Sequence, residues 1–308
     1  MQLAGIHHVT AITADAQRNL DFYAGVLGLR FVKKTVNFDA PDVYHLYYGD
    51  ELGAPGSAMT FFEFPDAAPG RAGAGIVHTV TWRVSGPAAL EFWAERLAGA
   101  GVTAERSGAA LGFADPEGLG LELRAADVPD APLAAAGPGI PAEHALLGFH
   151  GARAYASDPR RSDALLERLG FAAGAAGGWE LAGQERTAAW GYDPAPAEPG
   201  VQGAGTVHHI AWQSRDEDLA PWRDTVRAAG ARATDVIDRT YFRSVYFREP
   251  SGVLFELATP SPGFTVDEPA ETLGEALSLP PQHEHLRAQL ECRLTPLVHP
   301  RDRATAQT

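Results

Sequence analysis

Two adjacent histidine pairs and one glutamate carry the residue types that do metal chemistry: His7-His8 in GIHHVTAI, His208-His209 in GTVHHIAW, and Glu256 in SGVLFELATP. Each sits in a short run of β-branched, aromatic and aliphatic residues bounded by glycine, which reads as a strand. Side chains alternate across a strand, so one histidine of each pair faces a given cleft. If one from each pair converges with Glu256, the chain holds two imidazoles and a carboxylate. That is the ligand set of an open Fe(II) site with positions left for substrate and dioxygen. The same set tolerates Mn(II), Co, Ni or Zn, and metal affinities alone do not favour iron.

Internal repeats describe the elements that must position these residues. Residues 75–102 align without gaps on 205–232, each a Gly-led strand running into a helix, and each closes on a similar strand, DPEGLGLELRAA (115–126) and EPSGVLFELATP (249–260). A weaker pair relates 5–32 to 148–173, with Asp15 and Asp158 near the helix starts and a Leu-Gly at the helix ends. Four strand–helix–three-strand units follow, over 3–65, 75–125, 146–192 and 203–259. The expected fold class is α+β: four tandem βαβββ units forming two curved mixed-sheet barrels. The expected division is residues 1–125 (units one and two), 145–260 (units three and four) and a C-terminal tail, 261–308, with one amphipathic helical stretch packing on the body or on another subunit. The Pro-, Ala- and Gly-rich stretch 124–144 reads as the linker.

The repeats also indicate which copy of the site is intact. His208-His209 correspond to His78-Thr79, His7-His8 to His150-Gly151, and Glu256 to Glu122. The second histidine is thus lost in units two and three, which predicts one metal site per chain, in a cleft shared by units one and four. A common frame, with Ile6, His8 and Thr10 facing one way and Val207, His209 and Ala211 likewise, selects His8 and His209 as ligands. His7, His78 and His150 read as structural, because they persist where the ligands are lost. Trp82, Trp93, Trp212 and Trp222 recur at equivalent repeat positions and read as core. His283 and His285 in the tail have a spacing that puts them on different helix faces, against a metal role.

The net charge of −14 argues against nucleic acid or an anionic membrane as partner. The single cysteine, Cys292, excludes an internal disulfide framework and fits a reducing compartment. No run is long and apolar enough to span a bilayer, so a cytoplasmic protein is expected, with homo-oligomerisation open.

Taken together, the paired βαβββ units, first-strand HHVT, fourth-unit HHIAW and last-strand FEL resemble the vicinal oxygen chelate superfamily. Within it the match is to ring-cleaving dioxygenases of hydroquinones, over residues 3–260. The resemblance implies an extradiol-type oxidoreductase with Fe(II) held by His8, His209 and Glu256, inserting both atoms of O₂ into a small aromatic substrate. It also implies catalytic roles around the metal for Thr10, His208, Arg239 and Tyr246. Read from the residues alone, Arg239 is equally a surface ion-pair partner and Tyr246 equally a core residue. His208 must point off its neighbour's axis, so a proton-transfer role needs some strand distortion. Catechol-cleaving relatives carry the first histidine ligand in the third unit, where this chain has Gly151.

Two other functions use the same fold. A glyoxalase-I-like isomerase takes a second glutamate as fourth ligand, for which Glu63 on the last strand of unit one is the candidate, with Phe61 of the same parity as its rival. A small-molecule binding or resistance protein needs no catalytic metal, and the intact ligand set argues against it.

Overall fold

The structure, a computed structural model, describes residues 1–174 and 177–300. Unit one is β1 (Ile6–Thr13), α1 (Ala16–Leu20), β2 (Arg30–Asn37), β3 (Ala40–Gly49) and β4 (Ala58–Glu63). Unit two is β5 (Val77–Val84), α2 (Pro87–Gly99), β6 (Ala104–Ser107), β7 (Ala110–Ala114) and β8 (Gly120–Ala125). Unit three is β9 (Phe149–Ala156), α3 (Asp163–Arg168), β10 (Phe171–Ala173), β11 (Trp179–Ala182) and β12 (Thr187–Pro194). Unit four is β13 (Val207–Gln213), α4 (Leu219–Ala228), β14 (Ile237–Asp238), β15 (Arg243–Arg248) and β16 (Leu254–Ala258). The four expected βαβββ units are all present, in a mixed α+β fold of two curled sheets.

The sheets are built across the chain. One has the order β14-β15-β16-β13-β1-β4-β3-β2 and joins units one and four; the other, β10-β11-β12-β9-β5-β8-β7-β6, joins units two and three. Within each unit the first strand lies parallel to the last, as β1 with β4 and β13 with β16. The seams are antiparallel pairs of first strands, β1 with β13 and β5 with β9. Units at opposite ends of the sequence therefore share the centre of one sheet.

Helices cover one face of each sheet, over a core that includes Trp82, Trp93, Trp212 and Trp222. Asp15 caps α1, its carboxylate accepting from the Arg18 N–H at 2.9 Å, and satisfies a donor the first helical turn leaves free. Among the described residues, three aromatic contacts join the sheets: Trp190 of β12 packs edge-on to Trp212 of β13 and to Phe255 of β16, and Phe171 of β10 packs edge-on to Trp212. The linker is held rather than loose. Asp130 pairs with buried Arg83, Arg186 donates to the Ala131 carbonyl, and Trp93 Nε1 donates to the His144 carbonyl.

The tail packs on the body. After a 3-10 turn at Pro281–Leu286, α5 (Arg287–Arg293) buries Leu290 in the main core, while Tyr44 donates to the Thr295 carbonyl. His283 donates to the Phe38 carbonyl at 3.0 Å. Lys33, fully buried on β2, pairs with Asp267 and Glu268 and so anchors the start of the tail to the body.

Candidate metal centre

At the seam between β1 and β13 the register slips twice. Ile6 pairs with Trp212 but His8 with Ala211, so His7 is an extra residue on β1; Thr10 pairs with His209 but Ala11 with Val207, so His208 is an extra residue on β13. Each is a β-bulge, which bends the strand and re-aims a side chain. The other seam repeats the pattern, with His78 between the pairs of Val77 and Thr79, and His150 between those of Phe149 and Gly151. The first histidine persists in all four units because it is the bulge residue each time. The bulges also correct the expected common frame. His8 and His209 face the cleft, but Ile6 and Val207 are turned into the main core beside Val9 and Ile210.

Three side chains meet in the cleft. His8 Nε2 lies 3.1 Å from His209 Nε2 and 3.2 Å from Glu256 Oε2, and His209 Nε2 is 2.9 Å from the same carboxylate oxygen. All three residues are buried, and they are the one such cluster of His, Cys, Asp and Glu among the described residues. Burial alone would raise the Glu256 carboxyl, but the electrostatic pull of His8 and His209 beside it outweighs burial and holds it well below the usual range. Ser244 donates to its other oxygen. Glu256 Oε2 nonetheless makes no well-aligned hydrogen bond. An orphaned buried carboxylate oxygen and two facing imidazole nitrogens are unsatisfied as a set of acceptors, and a cation among them resolves this. Ligand atoms about 2.1 Å from one ion lie about 3.0 Å apart at octahedral angles and about 3.4 Å apart at tetrahedral ones. The observed spacings fit one face of an octahedron.

The bulge histidines set the ligands' tautomers. His7 Nε2 donates to the Thr259 carbonyl at 3.0 Å. Burial, aided by His8, lowers the His7 pKa to about 3, so the ring is neutral and its Nδ1 is an acceptor. That Nδ1, 2.8 Å from His8 Nδ1, accepts the His8 proton and leaves the Nε2 lone pair of His8 aimed into the cluster. His208 Nδ1 stands at the same 2.8 Å from His209 Nδ1. In the other sheet His78 Nδ1 keeps a partner in Thr79 Oγ1 at 2.9 Å, whereas His150 Nδ1, beside side-chain-less Gly151, is a buried atom with none.

A cavity of about 540 Å³ opens over the cluster. Ile12, Phe38, Phe62, Ile237 and Leu254 give it apolar walls, and His8, His208, His209, Arg239 and Tyr246 its polar face. The bulge brings His208 to the pocket with its neighbour, the distortion the sequence reading required. Tyr246 sits cross-strand from Glu256, its ring 5.7 Å from His209. Its phenol is pushed far above the ordinary value by burial, then by the Glu256 charge, so it stays a hydrogen donor. Arg239 lies over the Tyr246 ring and pairs with Asp39 at 3.0 Å, and its buried Nε has no partner.

Thr10 is cross-strand from His209 but is not part of the pocket wall, and its hydroxyl is committed. It bonds Thr60 Oγ1 at 2.8 Å; Thr60 in turn meets His45 Nε2 at 2.9 Å, and Tyr47 donates to His45 Nδ1. Glu63 is not in the cluster. It faces out of the cleft with core residue Phe61, while its carboxylate accepts from the Ala16 N–H at 3.1 Å. The register shows which residue holds the position equivalent to Glu256 in unit one. Ala211 pairs with Glu256, Thr81 with Glu122, and Thr10 with Thr60. That residue is Thr60, so no second glutamate faces the metal centre from unit one.

Sequence reasoning missed Ser244, His45, Tyr47 and Phe242. Ser244 could have been found two residues before Tyr246, on the same strand face. Phe242, whose ring lies 5.1 Å from those of both His7 and His8, has no periodic signal because it leaves a turn.

Relatives share this arrangement of units. The chain is 43% identical over 308 residues to MhqO of Bacillus subtilis (strain 168), provisionally named a ring-cleaving dioxygenase, covering 95% of this chain and 96% of that one. It is 35% identical over 318 residues to the chlorohydroquinone/hydroquinone 1,2-dioxygenase of Sphingobium indicum, covering 94% and 95%. A crystal structure from Bacillus subtilis, provisionally titled a dioxygenase, superposes with a TM-score of 0.90 at 40% identity over 96% of this chain and 98% of that one. Glyoxalase I from Zea mays, at 14% identity and a TM-score of 0.61 over 83% and 92%, shares the fold. The family model of the Glyoxalase/Bleomycin resistance protein/Dioxygenase superfamily matches residues 5–123 and 141–257, and with the four βαβββ units in place the chain belongs to that superfamily.

Proposed function

We propose that this chain is a ring-cleaving dioxygenase that inserts both atoms of O₂ into a para-hydroquinone, between a hydroxyl-bearing carbon and its neighbour. Fe(II) would be held by His8, His209 and Glu256, one ion per chain, and the reaction would run in the cytoplasm. The observation that carries the reading is the buried cluster with octahedral-face spacings at the floor of an aromatic-lined pocket. The names of the two dioxygenase relatives support it. In this reading the duplicated halves, 1–125 and 145–260, exchange units to build one cleft, and the described part of the tail, 261–300, braces it.

A bound Fe(II) would supply positive charge that favours loss of a phenol proton, and open positions where substrate and O₂ meet. The chain's own residues do the rest. Phe62, Ile12 and Leu254 seat the ring and exclude water from its faces. With Nε2 of His209 turned to the metal, its Nδ1–H donates to His208 Nδ1, which leaves a neutral His208 with its proton on Nε2. That Nε2–H can donate a hydrogen bond to a substrate oxygen. The Tyr246 hydroxyl and the unpartnered Arg239 Nε donate to oxygen as negative charge develops.

The test is oxygen uptake by Fe(II)-loaded protein with a panel of hydroquinones and catechols, beside a hemithioacetal isomerisation assay. Hydroquinone-dependent uptake is expected. Catechol turnover far above hydroquinone turnover would refute the substrate but keep the reaction type. Isomerisation without oxygen consumption would move the chain to the glyoxalase-like reading, which Thr60 in the second-glutamate position disfavours.

A further inference from the structure

A second cavity, of about 140 Å³, lies behind the His7 bulge, beneath the loops 51–55 and 260–265. Its walls include Leu52, Ala54, Pro55, Phe242, Pro260 and Phe264. Its buried polar groups are spent. His7 uses Nδ1 on His8 and Nε2 on the Thr259 carbonyl, and the Tyr241 hydroxyl donates to Asp267 at 2.9 Å. Exposed Leu52 and Thr265 leave it open to solvent, while buried Phe242 and Phe264 give it an apolar lining of the kind that takes xenon or another small apolar guest.

Phe242 is the residue that both cavities share. One face of this buried ring closes the small cavity, and the ring packs 5.1 Å from His8 on the other side. Phe242 and the spent His7 ring thus stand between this pocket and the metal centre, and of the two only Phe242 also lines the substrate pocket. The backbone that carries it is fixed. The Arg239 N–H donates to the Phe242 carbonyl at 2.9 Å, and Tyr241 is anchored through Asp267 to buried Lys33. The motion left to Phe242 is rotation of its side chain, which would join the two cavities without moving the loop.

The proposed reaction, on which this inference rests, has two substrates of unlike shape. An aromatic ring seated in the larger pocket covers the broad approach to the three ligands, so a second, apolar reactant needs another way in. We propose that the small cavity is an access and holding site for dioxygen, with Phe242 as its inner gate. The loop that forms its far wall is tied to the ligand strand, the Gly56 N–H donating to the His7 carbonyl at 2.9 Å, so chamber and ligand keep a constant relation.

Two measurements test this. Crystals of the protein pressurised with xenon, with or without metal, should show a xenon atom between Ala54, Phe264 and Phe242. Ala54→Phe fills the chamber from the side away from the substrate pocket. It should raise the KM for dioxygen about tenfold while the KM for hydroquinone, the turnover at saturating dioxygen and the bound metal stay at parent values. An empty chamber under xenon, or Ala54→Phe with an unaltered KM for dioxygen, overturns the proposal and leaves ring cleavage standing. No oxygen uptake by the parent with any hydroquinone or catechol overturns the ring-cleavage reading itself, and with it dioxygen as the guest.

Discussion

Each side chain around the cluster has a separable effect. His209→Ala or Glu256→Ala removes one of three ligands, and elemental analysis of anaerobically loaded protein should fall from one ion per chain to near zero. Two ions in the parent would contradict the lost ligands at Thr79 and Gly151. His7→Ala keeps all three ligands but deletes the acceptor that fixes the His8 tautomer, so metal affinity should drop roughly 10- to 100-fold with unchanged circular dichroism. Tyr246→Phe should lower turnover on the order of 10²-fold at parent metal content, because one donor to a developing oxyanion is lost. A Tyr246→Phe enzyme equal to the parent would return this residue to a packing role. His208→Ala should lower turnover on the order of 10²-fold at parent metal content, because another donor to substrate oxygen is lost.

At the scale of the element, the bulge is the device that makes the site. A regular strand would send His7 and His208 away from their neighbours; the extra residue lets each reach the adjacent ring's Nδ1. The same bulges in the second sheet frame no site. A Cβ on Gly151 would lie 2.2 Å from the Ala189 carbonyl oxygen, closer than a folded strand allows. Gly151→Ala should therefore destabilise the protein by about 1–3 kcal/mol in a denaturant titration, the cost of overpacking. Thr79→His combined with Gly151→His should not create a second ion site, and one extra bound ion in that variant would sink this account.

Across the whole molecule, ion pairs hold the linker and the halves in register. Asp130, in the linker, meets Arg83 of β5 and the backbone N–H of Thr187 on β12. Burial pushes its carboxyl up, but the hydrogen bonds from Arg83 and Thr187 outweigh this and hold it below the ordinary value of 3.8. A depressed folded pKa means that the stabilisation is complete above the ordinary value and fades as pH falls through the lower, folded one. Asp130→Asn should thus cost about 3–5 kcal/mol near neutral pH, as expected when a buried pair loses one partner. The gap from the parent should narrow below about pH 4 in melts taken across pH. A gap that does not change with pH would mean that charge is not what Asp130 contributes.

Read by itself, the chain determined the four units, their boundaries, and His8, His209 and Glu256 as the residues that would converge. Repeat offsets carry this information because duplicated units keep their hydrophobic period and capping residues even where the chemistry has decayed, as at Thr79 and Gly151. Tertiary structure decided what local periodicity cannot encode. The expected sharing of one cleft by units one and four was legible from the retained ligands, but the antiparallel seam of β1 with β13 that achieves it appears only in the strand pairing. A one-residue slip in register made the bulges, turned Ile6 and Val207 into the core, and gave His7 a task beyond packing. Glu63 read as a possible ligand because parity along one strand does not say which face meets the cleft, and its partner strands turned it outward. Phe242 and the chamber behind it come from a turn, two loops and a bulge meeting in space, where no sequence period applies.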